Sequence, residues 1–568
     1  MKVRVFLGVL LAVSLSGTDA LAQTWQEALA VLGEEPAEYE AARHWRWNVA
    51  AALREGARIQ GFSSRHVRVT AFELLDSTDT SNELEVEREW LLSTCERPQF
   101  LSCNALDCRD LGTGAGTVYL RFAPMPASRP AKGPDFVLTG SPFAVSVVSN
   151  GYPCAWLDYA GGEAGMKRAF TELQRRVRGY RAGRDGVFLS NTWGDGNRDA
   201  RINEAFLLRE VEAGTELGVD VIQIDDGWQK GRTANSAAVR KGGGTWGKYW
   251  DVDPDFWKPC PERFPRGLEP VVAAARAKGL RFGLWFGPDS SNEFRHWEKD
   301  AACLLDFHRR LGIDYFKMDS MCVMTGVAEW RQRKMFDRML EESQGAMVFD
   351  LDCTANVRPG FFGLADIGPL FVENRYVRPN DARLYWPHMT LRTLWSLARV
   401  IDPVRLRIEV LNPLRHPELY GDDPLRPASW PADALFAIAM TASPLGWFEI
   451  SNLAPETVAS MKPLIAAWKR ERANLHGGVT HPVGKRPDGV SWTGFLTEGV
   501  DGAFYALLFR ELSDSADYVL DLSPFGATGP LTCRRLAGRG LASILNGRME
   551  VKGLNRLDYV WVKLEKGI

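Results

Sequence analysis

The segment Asp314–Met321 reads DYFKMDSM and sets Lys317 and Asp319 two residues apart at the end of an apolar run. In a strand, side chains two apart share a face, so an ammonium and a carboxylate are thrust into the same space. Such a pair is either a structural ion pair or a reaction centre, and the lysine favours the ionised carboxylate that a nucleophile requires. Other apolar runs end in the same way, with Trp193, Asp225 and Asp226, Asp289, Asp352, Glu373, Glu409 and Glu449. Carboxylates hold hydroxyls and perform acid/base work, and indole faces cover apolar sugar faces. A ring of carboxylates with Trp193, Trp228 and Trp285, and without histidine ligands, therefore suits a carbohydrate site. Each tryptophan taken singly reads more readily as core.

The elements that must position these residues alternate in strict order. The strand runs are GVFLSNTW, VDVIQIDDGW, LRFGLWFGPD, IDYFKMDS, AMVFDLDC, PLFVENRY, RLRIEVLNP and PLGWFEISN. Between them, stretches such as EAFLLREVEAGTELG and FRHWEKDAACLLDFHRRLG carry apolar residues at helical spacing and close on glycine. Eight strand–helix units in about 290 residues predict a TIM barrel, whose active sites lie at the C-terminal ends of the strands. Asp225 and Asp226 are neighbours, so one is expected to reach inward while the other sits where the chain turns at Gly227.

Around the barrel, alternating runs such as HVRVTAFELL and GTVYLRFAP predict a β-rich sandwich domain over residues 23–165. VSWTGFLTEGVDGAFYALLFRE and DYVLDLSP predict a small β-sandwich over 480–568, with the barrel between at 185–478. The basic start, the apolar stretch Val5–Leu15 and the small residues Ala20 and Ala22 read as a secretory signal peptide over 1–22, cleaved after Ala22. Export to the periplasm or medium is the expectation, and no later run is long and apolar enough for a membrane span. It would permit one or two disulfides among Cys95, Cys103, Cys108 and Cys154.

The 568 residues carry 69 basic and 71 acidic side chains, a net charge of −2, so no global field draws the chain to nucleic acid or anionic lipid. No Cys/His cluster has zinc spacing, and no metal or other cofactor is expected. DVDPDFWKPCPE (Asp251–Glu262) mimics calcium-loop spacing, but Phe256 stands where such a loop needs glycine. It reads as a loop over the barrel mouth.

IDDGW, FGLWFGPD and DYFKMDS resemble the motifs of the glycoside hydrolase clan of the α-galactosidases, family 36 in particular, from Asn191 through Tyr376. The order of sandwich, barrel and sandwich is similar too. The resemblance implies that Asp319 is the nucleophile of a retaining exo-glycosidase and that Lys317 is a sugar-hydroxyl ligand. It implies that Asp225 and Asp226 clamp the hydroxyls far from the scissile bond, with Trp193, Trp228 and Trp285 beside them. Glu373, in Val372-Glu373-Asn374, aligns with the acid/base aspartate of the family's T-S-D-N motif, with Asp366, Glu409 and Asp352 as rivals. A Glu is one methylene longer, yet retention needs the two carboxyls about 5 to 5.5 Å apart.

The sequence departs from the family where the sugar would lie. The family's Cys-Ser and glycine run becomes Cys353-Thr354-Ala355-Asn356-Val357-Arg358, which keeps Cys353 and brings Arg358 to the pocket floor. The Glu of the family's F-E-P-E is Gly287, and the family's longer segment with an arginine between strands three and four is absent. The expected partner is an oligosaccharide or polysaccharide, and an oligomer is compatible with the sequence. A transglycosylase of the raffinose-synthase type would use the same residues. A carbohydrate-binding protein on an inactive barrel is the reading from another class, and Lys317, Asp319 and Glu373 argue against it. A phosphate-dependent barrel enzyme is disfavoured, because no Gly-rich phosphate loop follows strands seven or eight.

Overall fold

The computed structural model describes residues 58–62, 66–75, 84–92, 98–123, 135–141, 144–149, 154–195, 197–237, 243–352, 358–372, 385–527 and 529–566. The expected signal peptide, Cys95, Cys353 and Glu373 lie outside them.

Eight parallel strands close a barrel in sequence order: Leu189–Asn191, Val221–Ile224, Arg281–Phe286, Tyr315–Met318, Val348–Leu351, Leu370–Phe371, Leu406–Val410 and Ser443–Trp447. They are the strands that the alternation of runs predicts. Helices such as Glu204–Leu217 and Trp297–Leu311 end on Gly218 and Gly312, each left-handed, a conformation glycine adopts without the cost of a Cβ. Strand register places alternate residues inside: Lys317 pairs with Asp350, Phe371 with Arg407, and Asn191 with Trp447.

The interior is not wholly apolar. Arg407, completely buried, donates from Nε to Asp350 (2.8 Å) and from a terminal nitrogen to the Val187 carbonyl (2.7 Å). Gln223 donates to Asp350 (3.4 Å), Asn191 donates to both Gln223 and Asp225 (2.8 Å each), and Lys317 donates to Asp225 (3.1 Å). A hydrogen-bonded chain thus climbs from strand seven, through strands five, two and one, to the lysine on strand four.

Before the barrel, two antiparallel sheets face each other. One has the strands Arg58–Gly61, Ala144–Ser149, Phe136–Ser141 and Gln99–Leu101, in that order; the other has Glu85–Leu92, Val67–Leu74, Ala105–Asp110, Gly116–Arg121 and Cys154–Tyr159. Period two explains both faces of Val67–Leu74. Val67, Val69 and Ala71 enter the sandwich core, while Phe72 and Leu74 pack with the helix Gly162–Val177, Phe72 edge-on to Phe170. That helix ties the parts together: Lys167 donates to the Ile401 carbonyl (2.8 Å), Arg175 pairs with Asp402 (2.7 Å) and Arg168 with Glu498 (2.6 Å).

Cys103, Cys108 and Cys154 are free thiols buried in this sandwich, which corrects the expectation of bridges among them. Burial pushes the thiol of Cys154 up to about 12, and those of Cys103 and Cys108 well up too, so they behave as small apolar core groups. After the barrel, a five-stranded sheet (Val479–Gly484, Trp492–Glu498, Phe504–Arg510, Asp558–Lys566, Leu531–Gly538) covers a three-stranded one (Tyr518–Asp521, Arg548–Lys552, Leu541–Leu545). Phe495, Leu507 and Trp561 on its other face join the barrel's core. No described helix is long and apolar enough to cross a membrane.

Candidate active site

Asp319 follows strand four at the C-terminal mouth of the barrel, where the next residue, Ser320, takes a left-handed backbone (φ 55°). That turn lets the Ser320 N–H point back at the Asp319 carboxylate (2.5 Å). A non-glycine residue in this region is strained, and such strain persists where surrounding contacts hold it. Here Ser290, after strand three, donates to the Ser320 carbonyl (3.1 Å). The other Asp319 oxygen accepts the indole N–H of Trp285 (3.0 Å), and Arg358 approaches the carboxylate at 3.1 Å. Burial alone would raise the acid, but Arg358, Lys317 and the two N–H donors outweigh it and hold the carboxyl down at about 2. Asp319 is an ionised, oriented carboxylate.

Lys317 points inward two residues earlier. Its ammonium bonds Asp225 and lies over the rings of Phe371 (4.1 Å) and Trp447 (5.0 Å), a buried cation set among carboxylate and aromatic faces. Trp193 shares the apolar cluster of Phe371 and Trp447 inside the mouth. Arg358 spans Asp319 and Asp352, so it joins the end of strand four to the end of strand five.

The two adjacent aspartates part company, as neighbouring strand residues must. Asp225 faces the barrel axis, accepting from Asn191 and Lys317. Asp226 instead accepts from Gln229 (2.6 Å) and from Thr233, anchoring the loop beyond Gly227. Burial pushes the Asp226 carboxyl up to about 7, against the pull of those donors. A folded-state value above the unfolded 3.8 means stability that is full below about pH 4 and declines as pH rises through 7. Asp226→Asn is expected to flatten that decline, so the wild-type minus variant difference in unfolding free energy should fall by a few kcal/mol between pH 4.5 and 8. Urea unfolding across that range is the check, and parallel curves would show that Asp226 does not titrate there.

Trp228 departs from the expected rim of three tryptophans. Its side chain has no exposed surface, packs edge-on to Phe307 and donates to the Trp285 carbonyl (2.8 Å), so it wedges strand three from behind. Trp193 remains at the mouth, and Trp285, equally without exposed surface, reaches it through its indole N–H on Asp319. Of the rival carboxylates, Asp366 is gripped by Arg333 on the helix Gly326–Glu342 (2.7 Å), and Asp352 by Arg358. Glu449 is held by Arg201 (2.6 Å) and by Asn452 (2.7 Å). Glu409 is buried on strand seven, on the face of Arg407. Asn191, Phe371 and Trp447 were not picked out from the sequence as site residues. Counting by twos from Leu445 in PLGW would have found Trp447, since both share the inner face. Among the described residues no group of His, Cys, Asp and Glu could hold a metal ion.

The fold and this mouth define a (β/α)8 barrel with a carboxylate–lysine–tryptophan centre between two β-sandwiches. The family model described as Melibiase matches residues 150–301. The chain is 32% identical over 173 residues to α-galactosidase C of Emericella nidulans, covering 28% of this chain and 19% of that one. It is 33% identical over 90 residues to an α-galactosidase of Escherichia coli, covering 16% and 11%. The matched stretches therefore span a fifth or less of these relatives. In fold it is similar to the GH36 α-galactosidase of Geobacillus stearothermophilus, with a TM-score of 0.60 at 14% identity over 90% of this chain and 76% of that one. An α-galactosidase from Lactobacillus brevis gives 0.60 at 12% identity over 90% and 75%.

Proposed function

We propose that the protein is an exported retaining exo-glycosidase that removes terminal α-galactosyl, or stereochemically related, residues from oligosaccharides. The observation that carries this reading is the Asp319 carboxylate, held at about 2 at the barrel mouth by Arg358, Lys317 and the Trp285 indole. The name α-galactosidase among the sequence relatives supports it. Structures of the Geobacillus enzyme bear raffinose and stachyose, two oligosaccharides.

In the proposed reaction Asp319 attacks the anomeric carbon as the bond to the leaving oxygen breaks, and Glu373 donates the proton that oxygen needs. Water then attacks the glycosyl–Asp319 ester, giving its proton to Glu373 and restoring the carboxylate, with net retention. Lys317 and Asp225 offer a donor and an acceptor to the sugar's remote hydroxyls, and Trp285 aims the nucleophile. Residues 1–22 would direct export and be cleaved after Ala22.

Glu373→Gln tests the acid/base role. A general acid matters most for a poor leaving group, so hydrolysis of raffinose is expected to fall about 10²–10⁴-fold while the first step with a nitrophenyl glycoside is largely spared. Azide, which needs no deprotonation, should rescue the variant and give a glycosyl azide of retained configuration. Equal slowing of both substrates without azide rescue would move the role to another carboxylate.

A further inference from the structure

Trp246 is the one tryptophan among the described residues that is exposed, at 43%. It sits on the loop after strand two, and its ring meets that of Trp285 at 70° with centroids 6.3 Å apart. Trp285 in turn touches the nucleophile. Behind them Trp257 and Trp228 continue the aromatic packing into the core, so Trp246 is the solvent-facing end of a wall that starts inside the barrel layer.

The backbone on both sides of Trp246 is fixed. Thr245 donates to the Arg232 carbonyl (3.3 Å) and accepts from Ala234 (3.3 Å), while the Lys248 N–H reaches Asp289 and Ser291 (2.9 Å each). Gly247, between them, has a φ of 139° and comes so close to the Ser291 hydroxyl that a Cβ would stand 2.3 Å from it. An indole exposed to water yet held from both sides costs little ordering on binding a ligand.

We propose that Trp246 is the platform of a leaving-group subsite, stacking on the apolar face of the sugar that precedes the departing oxygen. The proposal rests on the glycosidase reading above. One indole, that of Trp285, separates Trp246 from Asp319, so a sugar bonded to Asp319 leaves Trp246 to the neighbouring ring. The ligand class is a neutral pyranose, recognised by its C–H face against the indole.

The test compares Trp246→Ala and Trp246→Phe with wild type on two substrates. Raffinose places a glucose beyond the scissile bond, whereas α-galactosyl fluoride has a leaving group without a ring. Trp246→Ala is expected to lower kcat/KM on raffinose at least about 10-fold, mainly through KM, and to leave the fluoride within about 2-fold. Trp246→Phe should recover most of the loss. Gly247→Ala, which disturbs the loop but keeps the indole, should show a smaller loss of the same kind. Equal loss on both substrates would mean that Trp246 only props Trp285, and no loss on either would mean that no sugar stacks there; both overturn the proposal. If wild type cleaves neither substrate, the glycosidase reading falls and the subsite falls with it.

Discussion

Asp319→Ala is expected to lower kcat/KM on a terminal α-galactoside by about 10⁴-fold or more while the protein stays folded. Loss of the attacking oxygen removes the covalent route altogether, and among the described residues no neighbour replaces it: Asp225 is committed to Lys317 and Asp352 to Arg358. Those same commitments keep the fold, because neither cation is left without a carboxylate when Asp319 goes. Azide at the vacated site would attack from the nucleophile's face and give a glycosyl azide of inverted configuration. With its carboxyl at about 2, Asp319 contributes to the acid limb of the wild-type pH profile only below about pH 3. Initial rates and a thermal melt check both halves; a variant with a tenth of wild-type activity would place the nucleophile elsewhere.

The second large effect is on stability. Arg407→Leu is expected to cost about 3–5 kcal/mol, because it leaves Asp350 charged and buried with only the long bond from Gln223. Asp350→Asn in the Arg407→Leu background removes the stranded charge and should recover a substantial part of the loss. Denaturant midpoints at constant m-value measure both. A single variant within about 1 kcal/mol of wild type would show that the barrel tolerates Asp350 unpaired.

The barrel was legible because the strand runs ended in the same polar or aromatic way and several of the helices between closed on glycine. Lys317 and Asp225 were legible through period two, which holds as long as a strand stays regular. Past the strand end it fails. Gly227, at φ 122°, turns the chain just before Trp228, so counting places that indole at the mouth whereas the turn carries it behind strand three. Asp226, expected where the chain turns, does sit on the loop there, bonded to Gln229 and Thr233. Arg407 and Asp350 read as isolated charges in RLRIEV and AMVFDL, 57 residues apart, and nothing local to either announces the other. The cysteines of the first sandwich show the converse error: the expected export permitted bridges, whereas Cys103 and Cys108 lie among apolar side chains as free thiols.

The polar chain through the barrel also bears on how the molecule acquires its activity. Asp225 and Lys317 belong to the first half of the barrel, yet their hydrogen bonds run on to Asp350 and Arg407, which belong to the second. A half-closed barrel would hold the lysine and its aspartate without the groups that complete the network, and the bonds of such a network strengthen one another only once all are made. Catalytic competence should then appear during refolding only when the strands of both halves have met. The gain of turnover would report the final closure of the barrel, later than the gain of helical signal.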